Sequence, residues 1–427
     1  MSTNKKTFCI VPYTMLYSMN NSDYRACCYS EFGIPSEDDP TKAINFNETP
    51  LEEVWNNKYY RDLRLDLANG VQNKTCATCW KMEANNEYSF RNKFNLNTTD
   101  EVVDKLVAET VENNGIITAT PATIQIKLGN LCNLKCIMCN QASSSLIQDE
   151  VIFWKKKEIA VPKWLQWIED WEIDWTGINQ TDNLDAIWDN LKVGLINAEQ
   201  IQLVGGEPLV NPITPILLER LVECDAAKNI RIYFISNLTS LSKRMISTLS
   251  EFRHSVISVS WDHVDPEKFR FIRFPARYEH FRKNVDKLLV SKVEPKISVT
   301  FNIFNIYDVA EIFDEFEKVS QTREYEYTVN LQYVENPNYF SIRYLEPDQK
   351  ECIIKLVDDY LNRTADYKVW RENPSTYNQL KSVEQIVSMP QVDFDEVVKE
   401  RTRVLRMYDE IRKTDYKQLF PFIKDYD

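Results

Sequence analysis

Three cysteines in one short run, Cys132, Cys136 and Cys139 of IQIKLGNLCNLKCIMCN (Ile124 to Asn140), carry the chemistry that the rest of the chain has to position. At CxxxCxxC spacing, three thiolates can hold three irons of a [4Fe-4S] cube and leave the fourth iron open to a small molecule. The competing chemistry is a zinc knuckle, which needs a fourth ligand close by. None is evident, and the nearest histidine is His254. The alternation of Ile124, Ile126 and Leu128 predicts a strand with one buried face. Gly129-Asn130 then turns the chain into the cysteine loop, which runs on into a helix.

A second group of cysteines lies upstream. Two apolar-aromatic runs flank Asn20-Asn21-Ser22-Asp23 and read as a β-hairpin, with Cys9, Cys27 and Cys28 on its arms. An amphipathic helix follows an acidic loop (Leu51, Val54, Trp55, Tyr59, Leu63) and stops at Gly70. Cys76 and Cys79 come next, in CATCWKMEANNEYSFR. Four thiolates from this set suit either a structural zinc or a fully protein-ligated iron-sulfur cluster, and spacing alone does not separate the two. The choice between Cys27 and Cys28 as the fourth ligand is also open. Cys224 and Cys352 stand alone in apolar helical contexts and are expected in the core.

The 427 residues allow more than one domain. A formal charge of −13 gives no general attraction to nucleic acid or anionic membrane. No run of apolar residues is long enough for a membrane span, and the N-terminal MSTNKKTFCIVPYT lacks the pattern of an export signal. Eight of the ten cysteines fall into metal-ligand groups, which favours a reducing, cytoplasmic setting over a disulfide framework.

From Ile124 onward strands alternate with helices, which implies a parallel sheet. The expected strands are 124–128, 201–204, 230–236, 255–261, 296–303 and 325–334. The second ends in VGGEP, where Gly205-Gly206 lets backbone approach a ligand and Glu207 offers a carboxylate. The insertion before it carries Trp154, Trp164, Trp167, Trp171 and Trp175, at a helical spacing that fits packing better than a binding pocket. Beyond about residue 346 the chain reads as charged amphipathic helices.

Together the CNLKCIMCNQASSS run and the GGEP segment resemble the radical S-adenosylmethionine (SAM) superfamily. The first segment resembles the twitch/SPASM auxiliary domain, on Cys9, Pro12, Cys27-Cys28, Trp55, Arg61, Cys76, Cys79, Glu83, Ser89 and Arg91. The resemblance implies an α/β fold: an open (β/α)6 barrel over 116–345, preceded by a twitch/SPASM-like α+β domain with its linker over 1–115 and followed by a C-terminal helical segment over 346–427. It implies a SAM-binding [4Fe-4S] cluster on Cys132, Cys136 and Cys139, and an auxiliary cluster on Cys9, Cys27 or Cys28, Cys76 and Cys79. It also implies contacts to SAM from Met138, Gly205, Gly206, Glu207, Ser236, Asn237, Ser260, Asp262, Arg273 and Asn302, with Asn305 close by. Two departures stand out. Ser22-Asp23 replaces the turn glycine of the hairpin, and Leu238 replaces the glycine that usually follows Asn237. The activity implied is reductive cleavage of SAM to a 5′-deoxyadenosyl radical, which takes hydrogen from a peptide or protein, or from a small metabolite that is dehydrogenated or epimerised. An electron donor such as flavodoxin or ferredoxin is implied as partner. The competing class is a zinc-stabilised scaffold without activity.

Overall fold

The computed structural model describes residues 6–30, 32–166, 184–322 and 328–426. Its eight strands are β1 (Met15–Ser18), β2 (Tyr24–Arg25), β3 (Thr123–Lys127), β4 (Gln200–Val204), β5 (Arg231–Ser236), β6 (His254–Ser260), β7 (Glu294–Phe301) and β8 (Thr328–Tyr333). The strand order is β2-β1-β3-β4-β5-β6-β7-β8, an open and mostly parallel sheet. Strands β3 to β8 are the six expected from sequence, each within a few residues of the predicted bounds, although 323–327 lie outside the described residues. Among the described residues no helix is long and apolar enough to cross a membrane. The chain divides into two compact units, Met1–Leu131 with Ile173–Phe234 and Ser247–Ser255, and Cys132–Glu172 with Ile235–Ile246 and Val256–Asp427.

In the first unit the hairpin expected around residues 20–23 is present, with Tyr17 opposite Arg25. Its strand β1 then pairs in parallel with β3, Leu16 opposite Ile124 and Tyr17 opposite Gln125. Side chains alternate between the two faces of a strand. One face therefore collects Leu16, Ile124, Ile126, Ile201, Leu203, Ile232 and Phe234, all buried. The opposite face is polar and carries Tyr17, Arg25, Gln125, Lys127, Gln202 and Tyr233.

The helix expected from Leu51 to Gly70 is two helices, Leu51–Trp55 and Lys58–Ala68. Asn57 starts the second by accepting a hydrogen bond from the Tyr60 N–H. The break resets the helical phase, so Tyr60 is buried and Tyr59 is not. The same shift brings Arg64 inside at 0% exposure, whereas Arg61 is half-buried. The Arg64 guanidinium lies over the Trp55 and Tyr60 rings and donates to the carbonyls of Pro12, Trp55 and Gly115. A buried charge tied to that many acceptors holds the segment together.

In the second unit β7 and β8 pair in parallel, with Ile297 opposite Val329 and Val299 opposite Leu331. Trp261 packs edge-on to Phe281 and Phe316 in the core. Trp154, on the helix Ser145–Lys156, is fully buried near Tyr408 of the helix Phe394–Arg412, in keeping with the packing expected of it. Trp164 is half-buried on the short helix Lys163–Gln166, and Trp167, Trp171 and Trp175 lie outside the described residues. Cys224 and Cys352, expected in the core, are both exposed. They fall at a helix end and on the solvent side of the helix Pro347–Arg363, where a small residue needs no packing partner.

Both departures from the glycine pattern keep the backbone conformation that glycine favours. Ser22 has φ 70° and Leu238 has φ 52°. Ser22 is 1% exposed and its hydroxyl has no hydrogen-bond partner. Replacing it with glycine should therefore relieve about 1 kcal/mol of left-handed strain and remove a buried unpaired hydroxyl worth roughly 1–3 kcal/mol. Against this stands an unfolded-state entropy cost of about 0.4–1 kcal/mol. Ser22→Gly is thus expected to raise the denaturation midpoint, and a lower midpoint in urea titration would show the hydroxyl to be a needed contact.

Candidate functional site

The cysteine loop in the second unit is fixed from several sides. The Lys135 N–H donates to the Phe274 carbonyl (2.6 Å) and the Ile137 N–H to the Ile272 carbonyl (3.0 Å), so the loop is laced to the end of the helix Pro266–Ile272. Ser144 is the N-cap of the helix that follows, and its hydroxyl also donates to the Leu134 carbonyl (2.6 Å). Ser145 Oγ accepts from the Cys132 N–H at 3.3 Å. A buried charge network finishes the clamp. Glu150 accepts from Arg412 (2.7 Å) and from Lys135 (3.2 Å), and Arg412 donates to the Lys135 carbonyl while lying over the Tyr408 and Phe274 rings.

Burial pushes the Cys139 thiol up to about 12, and burial likewise raises Cys136, opposed by the Arg273 charge. Arg273 Nη1 stands 3.9 Å from Cys136 Sγ, and Arg273 Nη2 is 2.6 Å from the fully buried Asp262. Burial works against the Arg273 cation, but the charges of Asp262 and Cys136 outweigh it and hold it above its ordinary range. Asn237 Nδ2 reaches Cys132 Sγ at 4.0 Å and Asn133 Oδ1 at 3.0 Å. Met138 is half-buried between the cysteines. Half-buried thiols release their protons on binding a metal cation, and a nearby guanidinium favours the anionic form, so this donor set fits an anionic thiolate-bound cluster.

Other residues singled out by the sequence serve their own turns here. Ser236 Oγ accepts from the Leu238 N–H. Asn302 spends both polar atoms on its turn, donating to the Thr300 carbonyl and accepting from the Phe304 N–H. Asn305 Nδ2 donates to the Asp262 carbonyl (2.9 Å), which supports the Asp262–Arg273 pair from behind. Ser260 ends β6 opposite Ser298 and is half-buried.

In the first unit Gly205, Gly206 and Glu207 close on the strand end that leads into the cysteine loop. A Cβ on Gly206 would meet the Leu131 carbonyl oxygen at 2.3 Å, and Gly205 has φ +119°. The Gly206 N–H donates to the Gly129 carbonyl and the Glu207 N–H to the Leu131 carbonyl. Glu207 is 2% exposed, and Asn211 Nδ2 donates to the Leu128 carbonyl from the far side. The close fit of two backbones is a cradle that only glycine permits.

The upstream cysteines gather around one cavity of the first unit, lined by Cys9, Cys27, Cys76 and Cys79 with Pro12 and Arg91. Burial raises Cys9, pushes Cys76 up to about 12 and raises Cys79. Cys28 does not line the cavity. It is in hydrogen-bond contact with Cys27 and Tyr17, and these contacts hold its thiol below the ordinary range. Glu83 pairs with Arg91 (2.6 Å) and accepts from Ser89, while Arg91 reaches the Phe8 carbonyl beside Cys9. Four thiols around one cavity fit a cluster with no open iron. Among the described residues no three Cys, His, Asp or Glu side chains already converge as a metal site.

Sequence reasoning missed Arg412, Glu150 and Lys135, whose partners lie far apart in the chain, and it missed Arg64. It also passed over the polar face of β3 and β4. The signal for that face was the alternate positions of TIQIK and QIQLV, read only for their apolar members.

Residues 126–319 match the Radical SAM superfamily model, and residues 9–80 match the SPASM iron-sulfur cluster-binding domain model. Residues 126–319 belong to the radical SAM superfamily. The two matched domains imply a [4Fe-4S] cluster, SAM and auxiliary iron-sulfur as cofactors. The zinc scaffold is set aside. The GTP 3′,8-cyclase of Chlorobaculum tepidum is 30% identical over 156 residues, 36% of this chain and 45% of that protein. Streptococcus suis SuiB bound to SAM is 15% identical, covering 72% of this chain and 62% of that one, with a TM-score of 0.37. Native anSMEcpe with bound AdoMet and Cp18Cys peptide is 18% identical, covering 56% of this chain and 60% of that one, with a TM-score of 0.36. The chain thus spans less than two thirds of the length of each of these relatives.

Gly206→Ala tests the cradle. Its Cβ meets backbone at 2.3 Å, so the strand end must shift. The variant is expected to lose SAM affinity at least tenfold in equilibrium binding, about 1.4 kcal/mol. Unchanged affinity would mean that the strand end yields freely.

Proposed function

We propose that the protein abstracts hydrogen from a peptide or protein substrate by radical SAM chemistry. The observation that carries the reading is the cysteine loop itself. Three thiols, the Arg273–Asp262 pair and Asn237 meet on it, and the residues just before Cys132 are held by the glycine cradle. When bound, the cluster and SAM supply a 5′-deoxyadenosyl radical by one-electron reductive cleavage of the sulfonium.

In this reading Cys132, Cys136 and Cys139 hold the cluster, and Arg273 offsets its negative charge at Cys136. The Glu207 carboxylate takes the SAM ammonium, and Gly205 and Gly206 let the backbone come close to it. Met138, Ser236, Asn237, Ser260, Asp262 and Asn302 shape the remaining SAM contacts, Asp262 by aiming Arg273 and Asn302 through its turn. Cys9, Cys27, Cys76 and Cys79 hold the auxiliary cluster, with Cys27 preferred over Cys28 because it lines the shared cavity. The segments 1–115, 116–345 and 346–427 act as auxiliary domain, barrel and C-terminal helices, and a flavodoxin or ferredoxin supplies electrons. The pairing with an SPASM segment supports a peptide substrate. The likeness to GTP 3′,8-cyclase over 36% of the chain favours a small metabolite as the second reading.

Two measurements test this. Replacing Cys132, Cys136 and Cys139 together with alanine should abolish 5′-deoxyadenosine formation while the auxiliary iron and its spectrum persist, and retained SAM cleavage would sink the assignment. Glu207→Ala should keep its iron and weaken SAM binding by about 1.5–3 kcal/mol, the scale of a charge-assisted hydrogen bond. Unchanged SAM affinity would reduce the segment to a turn.

A further inference from the structure

The turn that leaves β6 holds a histidine whose two ring nitrogens are both committed. His263 is 0% exposed and directly follows Asp262. Its Nδ1 accepts from the Val264 and Asp265 N–H groups, each at 2.9 Å. A ring nitrogen that accepts carries no proton. The ring proton is therefore on Nε2, which donates to Asp308 Oδ2 at 2.9 Å. Asp308 ends the short helical turn Ile306–Asp308 after β7, and Lys268 Nζ meets the same carboxylate oxygen at 2.8 Å. Burial works against the Asp308 anion, but the bonds from His263 and Lys268 outweigh it and hold its carboxyl below the usual range. A carboxylate that accepts from one ring nitrogen fixes the tautomer and leaves the other nitrogen an acceptor.

The segment that this ring fastens joins the two members of the Asp262–Arg273 pair. Asp265, one of the two donors to Nδ1, is the N-cap of the helix Pro266–Ile272 and accepts from the Glu267 and Lys268 N–H groups. Arg273 is the C-cap of the same helix, with its N–H on the Phe269 carbonyl at 2.8 Å. A helix this short has little stability of its own, so its direction is set by what holds its ends. The His263 ring holds the strand end to the helix start and, through Asp308, to Lys268 in the body of the helix. A change in the turn swings the helix, and with it Arg273, whose Nη1 stands 3.9 Å from Cys136 Sγ.

We infer that His263 is a positioning residue for the SAM-binding cluster: its Nδ1 sets the turn that aims Arg273 at Cys136, and Asp308 keeps that nitrogen an acceptor. The inference rests on the reading that Cys132, Cys136 and Cys139 hold a [4Fe-4S] cluster. A guanidinium beside such a cluster favours the reduced, more negative state and so raises the reduction potential.

The test is the midpoint potential of the SAM-binding cluster in anaerobically reconstituted protein, followed by electron paramagnetic resonance, with the auxiliary cluster of the same sample as control. His263→Leu removes both nitrogens and should make the cluster at least tenfold harder to reduce, a fall of about 59 mV for one electron. His263→Asn should restore the wild-type potential, because its Oδ1 accepts from the N–H two residues on and needs no tautomer fixed by Asp308. His263→Gln keeps an N–H for Asp308 but stands off the turn, so it should fall with His263→Leu. The auxiliary cluster should keep its potential in all three. Loss of the SAM-binding cluster alone from His263→Leu and His263→Gln, with its retention in His263→Asn, would be the stronger form of the same result. A histidine that is only structural would lower the thermal midpoint of His263→Leu and leave the potential where it was, which would overturn the inference. A fall in His263→Asn equal to that in His263→Leu would also overturn it, since the turn would then not be what aims Arg273. A wild-type protein that forms no SAM-binding cluster would sink the cysteine reading itself, which an unchanged potential in the variants leaves standing.

Discussion

The backbone of Gly206 runs so close to Leu131 that any side chain at that position would collide with a carbonyl oxygen at 2.3 Å. That contact is the constraint on which the first unit's part of the site depends. It requires β3 and β4 to be parallel neighbours in one register, Lys127 opposite Val204, so that both turns leave the sheet at the same level. It fixes the strand end immediately before Cys132. It also sets the polar face of the sheet beside the same turn, because the residues that alternate with Ile124, Ile126, Ile201 and Leu203 have no other side on which to lie.

The second unit solves a different problem. The loop bearing three thiols buries Leu134 and Ile137, and hydrogen bonds and buried ions impose the rest of its shape. Glu150 is 5% exposed and accepts from both Arg412 and Lys135. A buried carboxylate with two cationic partners is strongly destabilised when one is removed, which makes such a network a specific device for holding one loop shape. The Asp262–Arg273 pair acts in the same way at Cys136, with the Thr300 N–H fixing the carboxylate and Asn305 holding the Asp262 carbonyl. Charge is thus buried where a cluster would bring further negative charge.

The auxiliary cysteines illustrate how a helix break can place chemistry. Asn57 restarts the helix after Trp55, and the shifted phase turns Arg64 inward against Trp55 and Tyr60. Arg64 reaches the Pro12 carbonyl, three residues after Cys9, while Arg91 reaches the Phe8 carbonyl just before it. Cys9 is therefore held between two guanidinium anchors.

The sequence by itself determined the chemistry and the strand pattern. CxxxCxxC, the glycine pair before Glu207 and the alternation of strand with helix are local signals, because ligand spacing, left-handed turns and side-chain periodicity act over a few residues. It also pointed to Cys9, Cys27 or Cys28, Cys76 and Cys79 as a group. Tertiary structure alone decided which of the two adjacent cysteines faces the cavity: Cys27 lines it while Cys28 meets Tyr17, a choice that spacing does not make. It alone paired β1 with β3, exposed Cys224 and Cys352, and kept left-handed backbone at Ser22 and Leu238 without glycine, because their buried surroundings hold a conformation the isolated residues disfavour. It also brought Arg412 to Glu150 across 262 positions, a contact that no local pattern encodes because the partner is chosen by packing.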